Sequence, residues 1–247
     1  MQQKKKKNGA VRSSNFVSVA AKDTPFAYTE AYKALRTNLD FLTKASGVRS
    51  VVITSAVPEE SKSTTAINLA ITLASSGKSV VLVECDLRKP VLRKYLKREL
   101  GQSGLAAYLA GLVGLEDCIV HLQDLGICVI GAGVLPPNPS ELLNCDRMSG
   151  LIETLKLNFD YVLLDAPPVT VVTDAAVVGV KADGALLVVR SKFASARTVR
   201  QAKTRLESVG VRILGGVLTR FDMRKSGWRG GYDYKNYEYG YGMSKRR

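Results

Sequence analysis

Lys62 is the residue around which chemistry can be built in this sequence. It lies in Ser55-Ala56-Val57-Pro58-Glu59-Glu60-Ser61-Lys62-Ser63-Thr64-Thr65, between the apolar run Val51-Val52-Ile53-Thr54 and an apolar-periodic segment. A strand, a loop and a helix in that order offer backbone N–H groups and a helix N-terminus to a phosphate chain. In such a loop a lysine reaches the β- and γ-phosphate oxygens, and the hydroxyl after it ligates Mg²⁺. Lys62 and Ser63 fill those two roles. Pro58, Glu59, Glu60, Ser61 and Thr64 complete a candidate nucleotide-binding loop. The pattern GxxxxGK[ST] has glycine where this chain has Ala56 and Ser61.

Two further runs end in acids. The second apolar run leads into Glu84-Cys85-Asp86-Leu87-Arg88-Lys89-Pro90, and a third, Tyr161-Val162-Leu163-Leu164, ends in Asp165-Ala166-Pro167-Pro168. Carboxylates at the carboxyl ends of strands beside a phosphate loop are placed to hold Mg²⁺ or to polarise a nucleophile. The candidate metal set is therefore Ser63, Asp86 and Asp165. The candidate catalytic set is Lys62, Glu84, Asp86, Arg88 and Asp165. ATP and Mg²⁺ are the expected cofactors.

The elements that must position these groups follow from the patterning. Strands are predicted at Ser50–Ser55, Ser79–Glu84, Gly126–Ile130, Tyr161–Asp165, Ala185–Arg190 and Arg212–Thr219. Helices are predicted from Phe26 to about Leu42 and near Ser63–Ser75, Pro90–Leu96, Leu105–Ala110, Met148–Leu157, Thr173–Val180 and Ala194–Ser208. In the first helix Ala31, Ala34, Leu35 and Leu39 with Phe41 and Leu42 carry the helical spacing. The strands are short and apolar on both faces, as in a parallel sheet covered by helices. The alternation predicts one α/β domain with a doubly wound, mostly parallel sheet. Its expected limits are residues 25–222, after a flexible basic arm at 1–24 and before a disordered Tyr/Gly-rich tail at 223–247.

Composition narrows the classes. The chain has 247 residues, is 46% hydrophobic and has a net charge of +14, so it can bury a core and is not a wholly disordered chain. The longest near-continuous apolar run, Val177–Val189, is broken by Lys181 and Asp183, and no segment approaches the ~20 apolar residues of a membrane span. A cytoplasmic protein is expected. Cys85, Cys118, Cys128 and Cys145 form no CxxC pair and one histidine is present, which argues against zinc and disulfides. Buried reduced thiols are expected, with a Cys–His pair at His121 as the weaker, nucleophilic alternative.

The charge is segregated. Residues 1–22 hold Lys4, Lys5, Lys6, Lys7, Arg12 and Lys22 and no acid. Residues 220–247 hold Arg220, Arg224, Lys225, Arg229, Lys235, Lys245, Arg246 and Arg247 against Asp222, Asp233 and Glu238. That leaves +3 of the +14 for residues 23–219. Basic arms bind anionic lipid, nucleic acid or acidic partners, or simply keep a chain soluble. The C-terminal excess surrounds Tyr232, Tyr234, Tyr237, Tyr239 and Tyr241, half of the 10 tyrosines. A phosphate on each, at about −1.5 to −2, would reverse the sign of that tail.

Taken together, the loop, Glu84–Pro90, Asp165–Pro168, the stretches Glu30–Leu39 and Pro136–Leu143 and the tyrosine cluster resemble the bacterial tyrosine kinases of capsular and exopolysaccharide systems. The resemblance covers roughly residues 26–247 and implies a P-loop NTPase fold. It implies that Lys62 contacts phosphates, that Ser63, Asp86 and Asp165 organise Mg²⁺, and that Asp86 activates an incoming tyrosine hydroxyl. It implies that Thr64 donates to the α-phosphate. Autophosphorylation is implied at Tyr232, Tyr234, Tyr237, Tyr239 and Tyr241, with regulation of polysaccharide synthesis and export. Glu30, Lys33 and Arg36 resemble an oligomerisation motif, with Lys33 in place of its first arginine. The implied partners are a separate membrane-embedded activator of the polysaccharide co-polymerase type, further copies of the chain in a ring, and a cognate tyrosine phosphatase. No specific nucleic acid is implied. Location at the inner face of the cell membrane, through the activator, follows. The sequence departs from the family pattern at Glu84, where an aspartate is usual, at Glu59 and Ser61, where glycines flank the loop glutamate, and at Thr219, where related ATPases often have an asparagine. A nucleotide-gated scaffold with weak transfer is the alternative. A DNA-partition ATPase is disfavoured by Val57, which stands where that group has a second lysine.

Overall fold

In the computed structural model, residues 18–21 and 23–221 are described. The tyrosine cluster and Lys4–Lys7 lie outside them. The architecture is a seven-stranded sheet of order β3-β4-β2-β5-β1-β6-β7 with helices on both faces. Its strands are β1 (Ser50–Ser55), β2 (Val80–Glu84), β3 (Ile119–Leu122), β4 (Ile127–Ile130), β5 (Tyr161–Asp165), β6 (Gly184–Arg190) and β7 (Ile213–Thr219). All neighbours are parallel except β3, which runs antiparallel to β4. The helices are α1 (Phe26–Ser46), α2 (Lys62–Ala74), α3 (Leu92–Leu96), α4 (Leu105–Leu109), α5 (Pro139–Asn144), α6 (Asp146–Asn158), α7 (Asp174–Gly179) and α8 (Ala196–Glu207).

The central strands are buried along their whole length, as their apolar runs require. Alternate side chains serve two separate cores. Val51 and Ile53 pack with Leu39, Ile67 and Leu73 on one face. Val52 packs with Leu151, Val178 and Leu206 on the other. The expected mostly parallel α/β sheet is thus present.

Strand order decides where the site lies. The chain leaves β1, skips one slot to β2, and later fills that slot with β5 while β6 is added on the opposite side of β1. A crevice opens outside the carboxyl ends of strands at such a reversal. Register makes those ends level, with Asp165 opposite both Ile53 of β1 and Glu84 of β2.

Several details differ from the sequence reading. β3 and α5 went unrecognised because each is very short and β3 is largely half-exposed. α1 runs on to Ser46 and stops at Gly47, whose φ of 67° terminates it in a left-handed cap. Its buried side is Tyr32, Leu35 and Leu39; Ala31, Ala34 and Phe41 face away from the core. Residues 18–21 fall within the expected basic arm, yet they are attached to the domain. The Val19 N–H donates to Asn68 Oδ1 at 2.9 Å, and Val19 packs on the α2-side core.

Asp183 ties the start of β6 to that of β1. Its carboxylate accepts from the Arg49 and Ser50 N–H groups, each at 2.8 Å, and from Lys156 Nζ at 2.9 Å. Burial pushes this carboxyl up, but the two amides and the ammonium outweigh it and leave it below its ordinary value. Its stabilisation is present above the unfolded pKa of about 4 and is lost as pH falls through the lower native value. Asp183→Asn is expected to lower Tm at pH 7, and the gap from the parent should close as pH falls below about 4. Thermal melts across pH 2–7 check this; a constant gap would be the contrary result.

Candidate active site

The loop between β1 and α2 adopts a conformation its residue types do not favour. Glu59 and Ser61 have φ of 65° and 70°, in the left-handed region. These are the two positions at which the family pattern has glycine. The surrounding contacts enforce the geometry. Glu60, fully buried between them, accepts from the Val57 N–H at 3.0 Å and the Arg190 N–H at 3.2 Å. Ser55 Oγ donates to Val57 O at 2.8 Å, and Thr219 Oγ1 donates to Glu60 O at 3.0 Å. Glu60 therefore does not place its carboxylate beside a phosphate. It anchors the loop to the end of β6. Pro58 and Glu59 are exposed, and Thr64 is half-buried in the first turn of α2.

A left-handed L-residue costs about 1–2 kcal/mol, of which glycine returns part as unfolded-state entropy. Ser61→Gly is therefore expected to raise stability by about 0.5–1 kcal/mol, and Glu59→Gly by a similar amount. Denaturant midpoints measure both. A loss on substitution at either position would show that the side chain contributes more than its backbone costs.

Lys62 opens α2 and turns its ammonium toward the carboxyl ends of β2 and β5. Nζ lies 3.1 Å from Asp86 Oδ2, 3.4 Å from Asp165 Oδ1 and 3.3 Å from Ser63 Oγ. The three charged side chains are almost inaccessible, at 13%, 8% and 0% exposure. Burial disfavours the Lys62 charge, but Asp165 and Asp86 more than offset it, so the ammonium is held above its ordinary range. Burial pushes the Asp165 carboxyl up, against the pull of Lys62 and the Ser63 hydroxyl. Asp86 Oδ1 accepts from the Lys89 N–H at 3.0 Å, which fixes the loop after β2. Sequence reasoning placed Lys62, Ser63, Asp86 and Asp165 together, and the fold brings them together.

One buried oxygen in this group is orphaned: among the described residues, Asp165 Oδ2 has no hydrogen-bond partner. A buried carboxylate oxygen without a partner is costly unless something else uses it. Beside a buried serine hydroxyl and a second carboxylate, it suits a hard divalent cation that takes its remaining oxygens from phosphate and water. The donor set thus fits Mg²⁺, with Ser63, Asp86 and Asp165 as the residues that would hold it.

Glu84 and Arg88 are not part of this group. Glu84 Oε1 accepts from the Val91 and Leu92 N–H groups at 2.5 and 2.8 Å, and Oε2 accepts from Ala132 N–H at 3.3 Å. Its carboxylate fastens the α3 end of the loop to the segment after β4. Burial pushes it up, against those amides and reinforced by Asp165. Arg88 turns toward Asp174: Nε donates to Oδ2 at 2.8 Å and Nη2 to Ser140 Oγ at 2.8 Å. Sequence reasoning missed fully buried Asp174, which also accepts from Ser140 Oγ at 2.5 Å. The signal available was an acid opening a predicted helix, which reads equally well as a cap.

The remaining candidates lie elsewhere. Lys33 Nζ donates to Glu30 Oε1 at 2.7 Å, whereas Arg36 Nη1 reaches Thr72 O of α2 at 3.4 Å. His121 Nδ1 meets Cys128 Sγ at 3.1 Å across the β3–β4 pair. That pair sits in the outermost strands of the sheet, and burial pushes the Cys128 thiol up, away from a nucleophilic thiolate.

The chain was compared with known proteins. A family model described as an AAA domain matches residues 59–213. The tyrosine-protein kinase YwqD of Bacillus subtilis (strain 168) is 35% identical over 208 residues, which are 84% of this chain and 87% of that protein. The tyrosine-protein kinase etk of Escherichia coli (strain K12) is 37% identical over 215 residues, 87% of this chain but 30% of that longer protein. The solved kinase domain of Escherichia coli tyrosine kinase ETK superposes with a TM-score of 0.77 at 35% identity, covering 89% of this chain and 87% of that one.

Proposed function

The chain belongs to the bacterial tyrosine kinases, and from that premise we propose that it transfers the γ-phosphoryl group of ATP to tyrosine hydroxyls, those of its own C-terminal cluster first. The observation that carries this reading is the convergence of Lys62, Asp86 and Asp165 at the mouth of the α2 loop.

The geometry supports the following roles. Lys62 neutralises phosphate oxygens, and to do so its ammonium exchanges carboxylate partners for phosphate ones. Backbone N–H groups of the loop and of the first turn of α2, with Thr64, hold the phosphate chain. Ser63, Asp86 and Asp165 would hold Mg²⁺, which would supply screening of the charge that develops on the transferred group. Asp86, released from part of its pairing with Lys62, accepts the tyrosine proton as the tyrosine oxygen bonds to phosphorus and the bond to ADP breaks. That proton needs an acceptor because a tyrosine hydroxyl of pKa about 10 is almost wholly protonated at neutral pH. Glu84, Glu60 and the Arg88–Asp174 pair are assigned to positioning: they shape the two loops that carry the reacting groups.

The tail tyrosines Tyr232, Tyr234, Tyr237, Tyr239 and Tyr241 are the proposed acceptors. Among the described residues no helix is long and apolar enough to cross a membrane. The reading includes a separate membrane-embedded activator. It also includes a homo-oligomer that uses the Glu30, Lys33 and Arg36 face, a cognate phosphatase, and control of capsular or exopolysaccharide synthesis and export. The test is to incubate the purified chain, with and without the cytoplasmic end of its activator, in MgATP and map phosphotyrosine by mass spectrometry. Phosphate on residues 232–241 is expected; its absence in both arms refutes the reading. A nucleotide-gated scaffold with weak transfer is favoured by one observation, the two non-glycine residues at left-handed φ in the loop. It predicts ATP binding by calorimetry without turnover.

A further inference from the structure

The net charge of the body conceals a concentrated patch. Between Arg190 and Leu206 the chain carries Arg190, Lys192, Arg197, Arg200, Lys203 and Arg205 and no acid. With +3 over residues 23–219, the rest of that body is net acidic, at −3. On α8 the buried side is Ala202 and Leu206. The opposite side presents Arg197, Arg200, Gln201, Thr204 and Arg205, spaced as one helical face, and these five line an open groove of about 590 Å³. Lys203 is paired with Glu207 at 2.6 Å. Among the described residues, arginine ion pairs form only at Arg88, Arg93 and Arg98. Arg200 Nε donates to Ala196 O and Arg205 Nη1 to Val169 O and Thr170 O, so among the described residues most donors of each fork stay open.

Forked guanidiniums beside an amide and a hydroxyl are donors for phosphate monoester groups, which they grip bidentately. We propose that this α8 groove docks the chain's own C-terminal tail once its tyrosines carry phosphate. The proposal rests on the tyrosine-kinase reading.

Reach and charge select the tail as occupant. Thr219 of β7 stands level with Arg190 of β6, six residues before α8 begins, so the described chain ends close to the start of the groove. The eleven residues from Phe221 to Tyr232 span up to about 36 Å when extended, against about 18 Å for the length of α8. Every tail tyrosine therefore reaches the groove of its own subunit. The unmodified tail is basic and is repelled by three arginines. Phosphate on each of five tyrosines, at about −1.5 to −2, makes it acidic and reverses that sign. Docking is thus conditional on phosphorylation, and it holds a finished acceptor away from the phosphate loop.

The experiment uses the dephosphorylated full chain and two fluorescent synthetic peptides of residues 222–247, one with phosphate on all five tyrosines. Because the phosphates come from synthesis, the result does not depend on whether the chain modifies itself, which the mass spectrometry above decides separately. The phosphopeptide is expected to bind at least about tenfold more tightly than the unmodified peptide, with a steep salt dependence. R197Q/R200Q should weaken it by about tenfold or more, while R93Q/R98Q leaves it unchanged. All these side chains are exposed, so both double variants should keep the parent melting temperature. Equal affinity for the two peptides, or phosphopeptide affinity unchanged in R197Q/R200Q, overturns the proposal. So does binding of the chain to phosphatidylglycerol vesicles that the phosphopeptide cannot displace, because the groove then serves a membrane surface.

Discussion

Lys62→Met is expected to lower phosphotyrosine formation by about 10³-fold or more. A preorganised cation at a transferring phosphoryl group contributes on that scale, because it acts where water is excluded. The same substitution has a structural consequence that separates this site from a generic surface lysine. Asp86 and Asp165 are 8% and 0% exposed and share this one ammonium. Its removal leaves two buried carboxylates facing each other, and taking one partner from a buried pair costs about 3–5 kcal/mol. Burial already pushes the Asp165 carboxyl up in the intact chain, and without Lys62 it rises further. A carboxyl whose native pKa exceeds its unfolded value destabilises the fold at high pH, and that penalty is relieved as pH falls through the native value. The variant should therefore melt well below the parent at pH 7 and recover part of the difference by pH 5. Radiolabel transfer from γ-labelled ATP and melts at the two pH values test both halves. Transfer within tenfold of the parent would remove Lys62 from the mechanism, and a pH-independent melting gap would remove the carboxylate argument.

Glu84→Ala is expected to be the most destabilising single substitution in the acidic motif after β2. The residue looks like a catalytic acid from its place at the end of a strand. In the fold its two oxygens accept from the Val91, Leu92 and Ala132 N–H groups, and its side chain is buried. Alanine would strand these donors, two of them buried and Val91 partly so, at about 1–3 kcal/mol for each well-formed bond. With two short bonds and one long one, a loss of about 4 kcal/mol follows, or a Tm fall of about 8–16 °C for a domain of this size. Glu84→Gln keeps one acceptor oxygen and should lose roughly half as much. Denaturant unfolding measures the loss, and phosphate transfer below the unfolding transition measures chemistry. A Glu84→Ala chain that is fully stable yet inactive would return Glu84 to the catalytic set.

The two substitutions mark where sequence reasoning succeeds and where it stops. Lys62, Asp86 and Asp165 were legible together because a parallel sheet with helical crossovers puts all its strand carboxyl ends on one side. Apolar runs that end in acids, beside a strand–loop–helix with Lys62, therefore have to converge. Register completes the argument by setting Asp165 level with Ile53 and Glu84. The carboxylates of Glu60 and Glu84 turn to backbone N–H groups, and neither placement was legible in the sequence, for a common reason. An acid within a phosphate-loop motif or at a strand end can aim its carboxylate at the ligand or at nearby backbone N–H groups, and composition does not distinguish the two. Arg88 finds Asp174, which lies 86 residues away in sequence, so no local pattern announces the pair. β3 escaped notice because a half-exposed strand of four residues has almost no period to read.

By itself, then, the sequence determined the alternation of strands and helices, the phosphate loop with its lysine, and the acids that had to meet it. These follow from periodicity and from the right-handed crossover rule, which are local properties repeated along the chain. Tertiary structure alone decided which carboxylates face Lys62 and which hold backbone amides. It also forced Glu59 and Ser61 into a glycine-like backbone and left three arginines of α8 with no acid among the described residues to pair them. Each of those outcomes depends on side-chain direction and on partners distant in sequence. Direction and distance come into being only when the strands pair and the helices pack.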